Sequence, residues 1–548
     1  MSDLIIKRSD KDWYKDLVVY QIYPMSFMDG NDDGIGDLKG IIEKLPYLKE
    51  LGINAIWLSP IYKSPFVDNG YDISDYRDID PRFGTMEDFD RYVERCHELG
   101  IYVIMDLVVN HTSNMHPWFL SSSSSKDNEY SDYYIWRDKP NNWAAAFGGS
   151  AWEYVEARDQ YYLHTFSKGQ PDLNWKSEKV HKEVLDLISF WCEKGVDGFR
   201  VDAISYLDKA DFDYSPNPVD VSGYAFALDI NSNRPGTHRL ISMLRTKGFD
   251  KYNAMSVGEV CCYSTEDHFN YASDSRKEFN MAIPFVPPIV EIETWSPLKM
   301  KRDIKSSYDV LSKDGWWARF LSNHDKPRQV SLYGDDKEYR VLSAKFLATI
   351  TELLPGTPFI FQGEEIGMTN VYYESISDYN DIDMKNIYEL EMKKGKSEAD
   401  AFSYAQSISR DNARSPMQWD ESINGGFSHG KPWLNTNPNY KEINVEKEKS
   451  DKDSILFYYK ELIALRKSSE VLRRGEFEFI DFDSEYLFSY RRFKESDEYL
   501  VIGNFSKAEV AASYDISSYS VVLKNYDKSY SGTIDSLEPY EVVVLKKN

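Results

Sequence analysis

The sequence predicts an α/β fold: a (β/α)8 TIM barrel with an inserted subdomain after its third strand and a C-terminal antiparallel β-sandwich domain. Three observations support this prediction. They are a recurring unit of amphipathic helix, glycine and apolar strand, a set of eight candidate strands, and a change to alternating strands near residue 471. Parallel strands need a helix in each crossover, and eight such strands favour a closed barrel. A doubly wound open sheet is the alternative.

The recurring unit is clearest in "DLKGIIEKLPYLKELGINAIWLSP", residues 37–60. Its apolar residues keep helical spacing, Gly52 ends the helix, and "AIWLSP" follows as a buried strand. Residues 86–110 and 180–203 repeat this unit, with Gly100 and Gly195 after the helices. The other candidate strands are 18–24, 255–260, 279–285, 317–325 and 359–365.

The breaks in this rhythm predict the domain boundaries. We expect a first part of the barrel at 1–110, an inserted subdomain B at 111–176, and a second part at 177–470. The first insertion is rich in Trp, Tyr, Ser and Asn, and a second, polar insertion at 369–420 follows the eighth strand. Alternating segments such as "YLVIGNF" predict the β-sandwich at 471–548.

Composition and charge exclude several classes of protein. The net charge of -25 over 548 residues argues against binding to nucleic acid or to an anionic membrane surface. No segment approaches the roughly 20 apolar residues of a membrane span, and the N-terminus lacks a signal sequence, so we expect a cytoplasmic protein. The four cysteines, Cys96, Cys192, Cys261 and Cys262, lack metal-ligand spacing and are predicted to be buried thiols, with a redox switch at the adjacent pair as the alternative.

The loop "DGNDDGIGD", residues 29–37, has the ligand spacing of a cation site. Counted from Asp29, it supplies the oxygen ligands of a calcium loop at alternate positions and a glycine at position 6. The bidentate glutamate of a calcium sensor is missing, because Gly40 stands at position 12. The spacing therefore predicts a bound cation without a sensor's closing ligand.

Carboxylates recur at the predicted C-terminal ends of the barrel strands, where barrel enzymes have their active sites. They are Asp106, Asp202, Glu259 and Asp325. Each would be costly to bury inside an apolar strand unless it served a function or formed a local ion pair. Four such residues at equivalent positions favour a catalytic site.

The neighbours of two of these carboxylates predict their protonation. Arg200 lies two residues before Asp202, on the same face of the strand, and is expected to keep Asp202 ionised. Glu259 has no basic residue within three positions and is expected to keep its proton. An ionised nucleophile beside a protonated acid is typical of retaining glycoside hydrolysis.

These residues lie in motifs of a known family. "DLVVNH", "GFRVDA", "VGEV", "FLSNHD" and "QPDLNW" resemble the core segments of the α-amylase superfamily, glycoside hydrolase family 13, and "NARSPMQW" is a further marker. The similarity extends over essentially the whole chain and is strongest to the oligo-1,6-glucosidase and α-glucosidase branch. It implies Asp202 as nucleophile, Glu259 as acid/base, and Asp325 as a third carboxylate that binds sugar hydroxyls.

The resemblance also implies binding residues and a metal. His111, Arg200 and His324 would line one sugar subsite, Asp72 and Arg414 would hold the non-reducing end, and Phe166 and Gln170 would border it. The loop would carry a structural Ca2+ or Mg2+, and no organic cofactor is expected. Its implied ligands are Asp29, Asn31, Asp33, Asp37 and the carbonyl oxygen of Ile35.

The linkage that is cleaved depends on residue 203. Relatives active on α-1,6 bonds tend to carry valine after the nucleophile, whereas this chain has Ala203, which leaves room for an α-1,4-linked ring. The sequence therefore predicts an exo-acting α-glucosidase for maltose and malto-oligosaccharides, with sucrose left open. The alternatives are an oligo-1,6-glucosidase, a trehalose-6-phosphate hydrolase, and a non-catalytic amylase-like partner protein. We expect a small saccharide substrate and a monomer or weak oligomer.

Overall fold

The computed structural model describes residues 10–217, 223–285 and 295–548. The prediction that the N-terminus lacks a signal sequence rests partly on residues 1–9, which lie outside the described residues. In the described part of the chain, no helix is long and apolar enough to cross a membrane.

All eight predicted barrel strands are present and form one sheet. In chain order they are Val19–Ile22, Ala55–Leu58, Tyr102–Val108, Gly198–Asp202, Met255–Cys261, Met281–Phe285, Ala318–Arg319 and Thr357–Phe361. The hydrogen-bonded order is sixth, fifth, fourth, third, second, first, eighth, seventh. Chain neighbours thus pair in sequence and the first strand pairs in parallel with the eighth, as a barrel requires. The predicted (β/α)8 barrel is confirmed.

Two strands differ most from their predicted bounds. The seventh has only two residues, and the eighth begins at Thr357 and ends at Phe361 instead of running to residue 365. After the seventh strand, Ser322 Oγ donates to Glu364 at 2.5 Å and Asn323 Oδ1 accepts from the Asp325 amide at 2.9 Å. These side-chain bonds replace the ladder of a strand.

The helices of the repeated unit end at the predicted glycines. They are Leu38–Leu51, Met86–Glu98 and Glu178–Glu193. Gly52 has a φ of 102°, and its amide donates to the carbonyls of Leu48 and Lys49, which closes the helix in a conformation that side chains disfavour. Later helices are Pro235–Lys247, Thr265–Ala272, Pro297–Leu311, Arg340–Leu353 and Ile455–Ser468.

The insertion after the third strand contains a short helix, Pro117–Ser124, and a three-stranded antiparallel sheet. The strands of this sheet are Trp136–Arg137, Trp152–Val155 and Gln160–Leu163. Its core, built on buried Trp143 and Trp152, also includes Ala210 and Ala227, which lie outside the predicted 111–176. A further strand, Trp143–Ala144, pairs with Ala225–Phe226. The segment after the fourth barrel strand therefore completes the hydrophobic core of the insertion.

The C-terminal region is the predicted antiparallel β-sandwich. Its strands are Glu476–Phe479, Tyr490–Lys494, Asp497–Gly503, Val510–Asp515, Tyr519–Lys524, Thr533–Leu537 and Val542–Lys547. They form a five-stranded and a two-stranded sheet, with Ile502, Val543 and Ile534 in a shared core. A short helix, Glu470–Arg474, occupies the predicted start at 471. The polar insertion at 369–420 is helical in part, at Ile382–Lys393, Glu398–Ile408 and Asp411–Arg414.

By their internal contacts the described residues form two compact units. The first comprises the described parts of 57–98 and 102–285, and the second comprises 10–56, 99–101 and 295–548. The third to sixth barrel strands belong to the first unit. The first, seventh and eighth barrel strands and the β-sandwich belong to the second unit.

Candidate active site

In the first unit, a single arginine joins three carboxylates at the ends of adjacent strands. Arg200 Nη1 lies 2.5 Å from Asp106 Oδ1 and 2.7 Å from Asp202 Oδ1, and its Nη2 lies 2.7 Å from Glu259 Oε1. The parallel register produces this arrangement, because Arg200 lies opposite Asp106 on the third strand and opposite Val257 on the fifth. The predicted contact between Arg200 and Asp202 is confirmed. Asp202 and Glu259 are thereby brought together on neighbouring nitrogens of one guanidinium.

Glu259 has no basic residue within three positions on its own strand, as the sequence shows, but it has a basic neighbour in space. The sequence argument considered only its own strand, whereas Arg200 reaches Glu259 from the adjacent one. Sequence spacing does not reveal such a contact, because it depends on the register between strands. Arg200 therefore holds both members of the carboxylate pair.

The expectation that Arg200 keeps Asp202 ionised also needs correction. Burial raises the pKa of Asp202 well above its usual range, Glu259 and Asp106 raise it further, and Arg200 only opposes this shift. The carboxylates of Asp106 and Glu259 in turn outweigh burial and hold the pKa of Arg200 well above its usual range. One positive charge cannot neutralise three carboxylates, so this network favours retention of one proton.

Ala203, which follows the predicted nucleophile, has an unusual backbone conformation. Its φ of 44° and ψ of 36° lie in the left-handed region, and its backbone nitrogen donates to Glu259 Oε2 at 3.1 Å. The two oxygens of Glu259 are therefore held from different directions, one by Arg200 and one by Ala203.

His111, Phe166 and Gln170 come together near the third strand. Gln170 Nε2 lies 3.1 Å from His111 Nε2, and the Phe166 ring packs edge-on to the imidazole with centroids 5.3 Å apart. His111 Nε2 also lies 3.1 Å from the Tyr71 carbonyl. Burial lowers the pKa of His111, which favours its neutral form. Both ring nitrogens already have polar neighbours, since Nδ1 lies 3.2 Å from Asn110 Nδ2 and Nε2 faces the Tyr71 carbonyl and Gln170 Nε2.

Asp72 is fully buried in a tight turn. Its carboxylate accepts from the amides of Val67 at 2.9 Å and Asp68 at 3.0 Å. Gln170 Nε2 donates to Asp68 Oδ2 at 3.0 Å, which ties this turn to His111. Burial raises the pKa of Asp72, and the two amide bonds oppose that shift.

The sequence analysis did not identify Lys209 as a site residue. Its buried ammonium lies 2.6 Å from Asp172 Oδ2 and 2.6 Å from the Tyr206 carbonyl oxygen. It also lies 3.3 Å from Asn110 Oδ1 and 3.3 Å from Thr165 Oγ1. Lys209 thus joins the segment before His111, the segment before Phe166 and the turn after Asp202. No local pattern reveals this, because its partners are remote in sequence.

In the second unit, Asp325 is bound by three cationic or titratable side chains. Arg414 Nη2 lies 2.6 Å from Asp325 Oδ1, and His324 Nε2 lies 2.9 Å from Oδ2. Arg410 Nη1 is 3.9 Å away. Burial raises the pKa of Asp325, but His324, Arg414 and Arg410 outweigh it and hold the pKa well below its usual range. Asp325 is therefore an anion.

His324 and Arg414 are themselves fixed by the second unit. His324 Nδ1 lies 2.8 Å from Gln21 Nε2, and the imidazole stacks on Tyr23 with centroids 6.0 Å apart. Arg414 Nε donates to the His324 carbonyl at 2.9 Å. The predicted common subsite of His111, Arg200 and His324 stays a prediction.

In the predicted cation loop, carboxylate oxygens accept hydrogen bonds mainly from nearby backbone amides. Asp29 Oδ2 accepts from the Gly34 amide at 2.7 Å and from Ser428 Oγ at 2.6 Å, and Asp37 Oδ1 accepts from the Gly40 amide at 2.7 Å. Asn31 and Asp33 bond to amides two residues ahead, the latter to that of Ile35. Burial raises the pKa of Asp37, and Asp29 and Asp33 add to this effect. Across the described residues, no three His, Cys, Asp or Glu side chains are arranged to hold a metal ion.

Comparison with known proteins identifies the family. A family model described as alpha amylase, catalytic domain, matches residues 21–475. The chain belongs to the alpha-amylase family. It is therefore a glycoside hydrolase, and the non-catalytic reading is excluded.

Three relatives illustrate the similarity to alpha-amylase family members. The chain is 46% identical to the oligo-1,6-glucosidase of Bacillus cereus, over 98% of this chain and 100% of that protein. It is 43% identical to the trehalose-6-phosphate hydrolase of Bacillus subtilis (strain 168), over 99% of each. Among solved structures, the trehalose-6-phosphate hydrolase of Bacillus licheniformis matches with a TM-score of 0.90 and 41% identity, over 97% of this chain and 99% of that one.

Proposed function

We propose that this chain is a retaining, exo-acting oligo-1,6-glucosidase that releases glucose from the non-reducing end of short isomalto-oligosaccharides. The observation that carries the proposal is the 46% identity to an oligo-1,6-glucosidase over 98% of the chain. Asp202 and Glu259, held by one guanidinium, support the retaining reaction. Carboxylates that share a guanidinium lie close together, which suits the spacing of about 5 Å in retaining enzymes better than the ~6.5–9.5 Å of inverting ones.

In this proposal the one proton that the network retains is on Glu259 when the substrate binds, so Asp202 attacks the anomeric carbon as a carboxylate while Glu259 protonates the leaving glycosidic oxygen. A glycosyl ester forms on Asp202, and the free saccharide leaves with the proton of Glu259. Glu259, now ionised, accepts a proton from water, and that water cleaves the ester to release glucose. Arg200 supports both steps, because its charge stabilises whichever carboxylate is ionised.

Asp325 and Arg414 are proposed to bind the glucosyl unit. An anionic Asp325, anchored by Arg414 and His324, has free acceptor capacity for sugar hydroxyls. Its negative charge would favour the oxocarbenium-like transition state. In the first unit, Asp72, His111, Phe166 and Gln170 are proposed to contribute to sugar binding.

We do not propose the preference for α-1,4 linkages that was expected from Ala203. That argument rested on the volume of one side chain, which changes discrimination by only about 1–3 kcal/mol. Ala203 belongs to an apolar cluster with Tyr206, Cys261 and partly buried Phe166. The space beside the nucleophile is therefore shaped by several side chains, and the full-length similarity outweighs one position.

The linkage is tested by comparing kcat/KM of the purified protein on isomaltose, maltose, sucrose and trehalose 6-phosphate, with Asp202→Asn as the blank. We expect isomaltose to be preferred by at least tenfold. A preference for maltose would restore the α-1,4 reading. A preference for trehalose 6-phosphate, the substrate in the names of two of the relatives, would replace the proposed function by that hydrolase activity.

We further propose that the loop at 29–37 binds a structural Ca2+ or Mg2+. Its oxygen donors suit a hard cation, which would also offset the mutual repulsion of the Asp29, Asp33 and Asp37 carboxylates. When bound, the ion would stabilise the loop and take no part in the reaction.

Metal binding is tested by the melting temperature after chelation and after Ca2+ or Mg2+ is added back. We expect an increase of several degrees in the native chain and none in Asp29→Asn. Asp32→Asn is the control, because Asp32 bonds to His429 and is not a predicted ligand. An equal response in all three proteins would contradict the proposed site.

A further inference from the structure

The conformation of Ala203 is unexpected for a residue with a side chain. Its φ of 44° and ψ of 36° are disfavoured in a residue other than glycine. Such conformations persist where the surroundings enforce them, and they cluster at functional sites. Here the strained residue directs its N–H at Glu259 Oε2, 3.1 Å away.

The turn after Ala203 is fastened to the end of the fifth strand by buried side chains. Ser205 Oγ accepts from the Cys261 amide at 2.8 Å, and the Tyr206 hydroxyl lies 2.8 Å from Cys261 Sγ. Ser205 is 1% exposed and Cys261 is 2% exposed, so water does not compete with these bonds.

Further hydrogen bonds, made by Tyr271 and Asn233, hold Ser205 and Cys261 in place. The Tyr271 hydroxyl lies 3.0 Å from Ser205 Oγ and 2.7 Å from Asn233 Oδ1. Asn233 Nδ2 donates to the Cys261 carbonyl at 2.9 Å, and the backbone N–H of Asn233 donates to the Ser205 carbonyl at 3.2 Å. We call Ser205, Tyr206, Asn233, Cys261 and Tyr271 the turn network.

The network links the strand that carries Asp202 to the strand that carries Glu259. Cys261 lies two residues after Glu259, and Ser205 lies two residues after Ala203. A shift of the turn would move the Ala203 amide from Glu259 Oε2, whereas Arg200 would still hold Oε1. Displacement of a catalytic group by about 1 Å can cost a factor of 10² in rate.

We propose that Ser205, Tyr206 and Tyr271 are positioning residues that hold the Ala203 N–H against Glu259 and so orient the acid/base carboxyl. The proposal rests on the proposed function, in which Glu259 protonates the leaving oxygen. It also gives a role to Cys261. Burial raises the pKa of Cys261 to about 11, so its thiol stays neutral and serves as a hydrogen-bonding partner instead of a redox switch.

The test compares substrates with good and poor leaving groups. Loss of 4-nitrophenol from its α-glucoside needs little protonation, whereas loss of a sugar from isomaltose needs the acid. In Tyr206→Phe and Ser205→Ala we expect kcat/KM on isomaltose to fall at least tenfold. On the nitrophenyl glucoside kcat/KM should stay within about threefold of the native value. An equal fall on both substrates, or no fall on either, would overturn the proposal.

Two further variants separate positioning from general damage to the fold. Ser205→Thr keeps the hydroxyl and should restore the native ratio of the two kcat/KM values. Tyr92→Phe is the matched control, because Tyr92 is a fully buried tyrosine beside Cys96 on the helix Met86–Glu98. We expect Tyr92→Phe to leave the ratio unchanged, and a change as large as that in Tyr206→Phe would contradict a specific role for the network.

Glu259→Gln, measured alongside, tests the underlying function separately. It should lose at least 10³-fold on isomaltose and far less on the nitrophenyl glucoside. If Glu259→Gln shows this pattern and the network variants do not, only the positioning role is wrong. If Glu259→Gln leaves isomaltose cleavage intact, the proposed function itself is wrong.

Discussion

At the scale of single residues, the chemistry of the first unit centres on Arg200. Its guanidinium contacts Asp106, Asp202 and Glu259, and the rings of Trp57 and Tyr71 lie 5.3 and 5.8 Å from it. A planar, delocalised cation suits this position, since it can donate to several carboxylates at once.

Replacement of Arg200 by lysine should therefore strongly reduce activity, even though the positive charge is kept. A lysine ammonium cannot reproduce the fork that spans Asp202 and Glu259. We expect kcat/KM on isomaltose to fall at least about a hundredfold, because misplacement of a catalytic group by about 1 Å can cost a factor of 10² in rate. Steady-state kinetics, with circular dichroism to verify folding, measures this. Activity within threefold of native would refute the central role of the guanidinium.

At the scale of secondary-structure elements, loops after the strands are connected to one another by buried polar side chains. Lys209 connects the loop after the third strand, the insertion and the turn after the fourth strand through Asn110, Thr165, Asp172 and the Tyr206 carbonyl. The turn network connects the same turn to the fifth strand. Lys209 joins loops that carry candidate site residues to one another, and the turn network joins one of these loops to the fifth barrel strand.

Lys209→Met should destabilise the protein by leaving Asp172 buried and unpaired. We expect a loss of about 3–5 kcal/mol, seen as a lower melting temperature, and partial recovery in the double variant with Asp172→Asn. Lys194→Met is the matched control, because its ion pair with Asp90 is partly exposed and worth at most about 1 kcal/mol. Equal effects of the two single substitutions would contradict a special role for Lys209.

At the scale of the whole molecule, buried acids make stability depend on pH. Burial raises the pKa of Glu352 from 4.5 to about 7 and that of Glu364 from 4.5 to about 8. Among the described residues, neither carboxyl oxygen of Glu352 has a hydrogen-bond partner. Between these values the native state binds more protons than the unfolded chain. The contribution of these two acids to the free energy of unfolding therefore falls as pH rises from about 4.5 to about 8.

Glu352→Gln should remove part of this pH dependence, because glutamine mimics the protonated acid. At pH 8 we expect the free energy of unfolding to increase by an amount on the order of 3 kcal/mol. Near pH 4 the native and variant proteins should unfold alike. Thermal unfolding at both pH values measures the difference, and an equal effect at the two pH values would show that ionisation of Glu352 is not its cause.

Much of the architecture could be predicted because local sequence patterns indicate its helices and strands. Gly52 follows a helical apolar stripe, Asp202 and Glu259 lie at the ends of apolar strands, and Phe477 and Phe479 alternate with Glu476 and Glu478 in the sandwich. The spacing of apolar residues and the glycines that end helices indicate helices and strands directly, and eight strand–helix units then favour a barrel. The seventh strand was overestimated because side-chain bonds of Ser322 and Asn323 compete with its ladder.

The sequence by itself determined the fold class and the identity of the candidate catalytic carboxylates, because both depend on residue types at short, regular spacing. Only the tertiary structure decided their surroundings. The contact of Arg200 with Glu259, the amide of Ala203 on the same carboxyl, and the oxygen partners of Lys209 all join residues on different strands or loops. Such contacts follow from strand register and backbone strain, which depend on the packing of the chain as a whole.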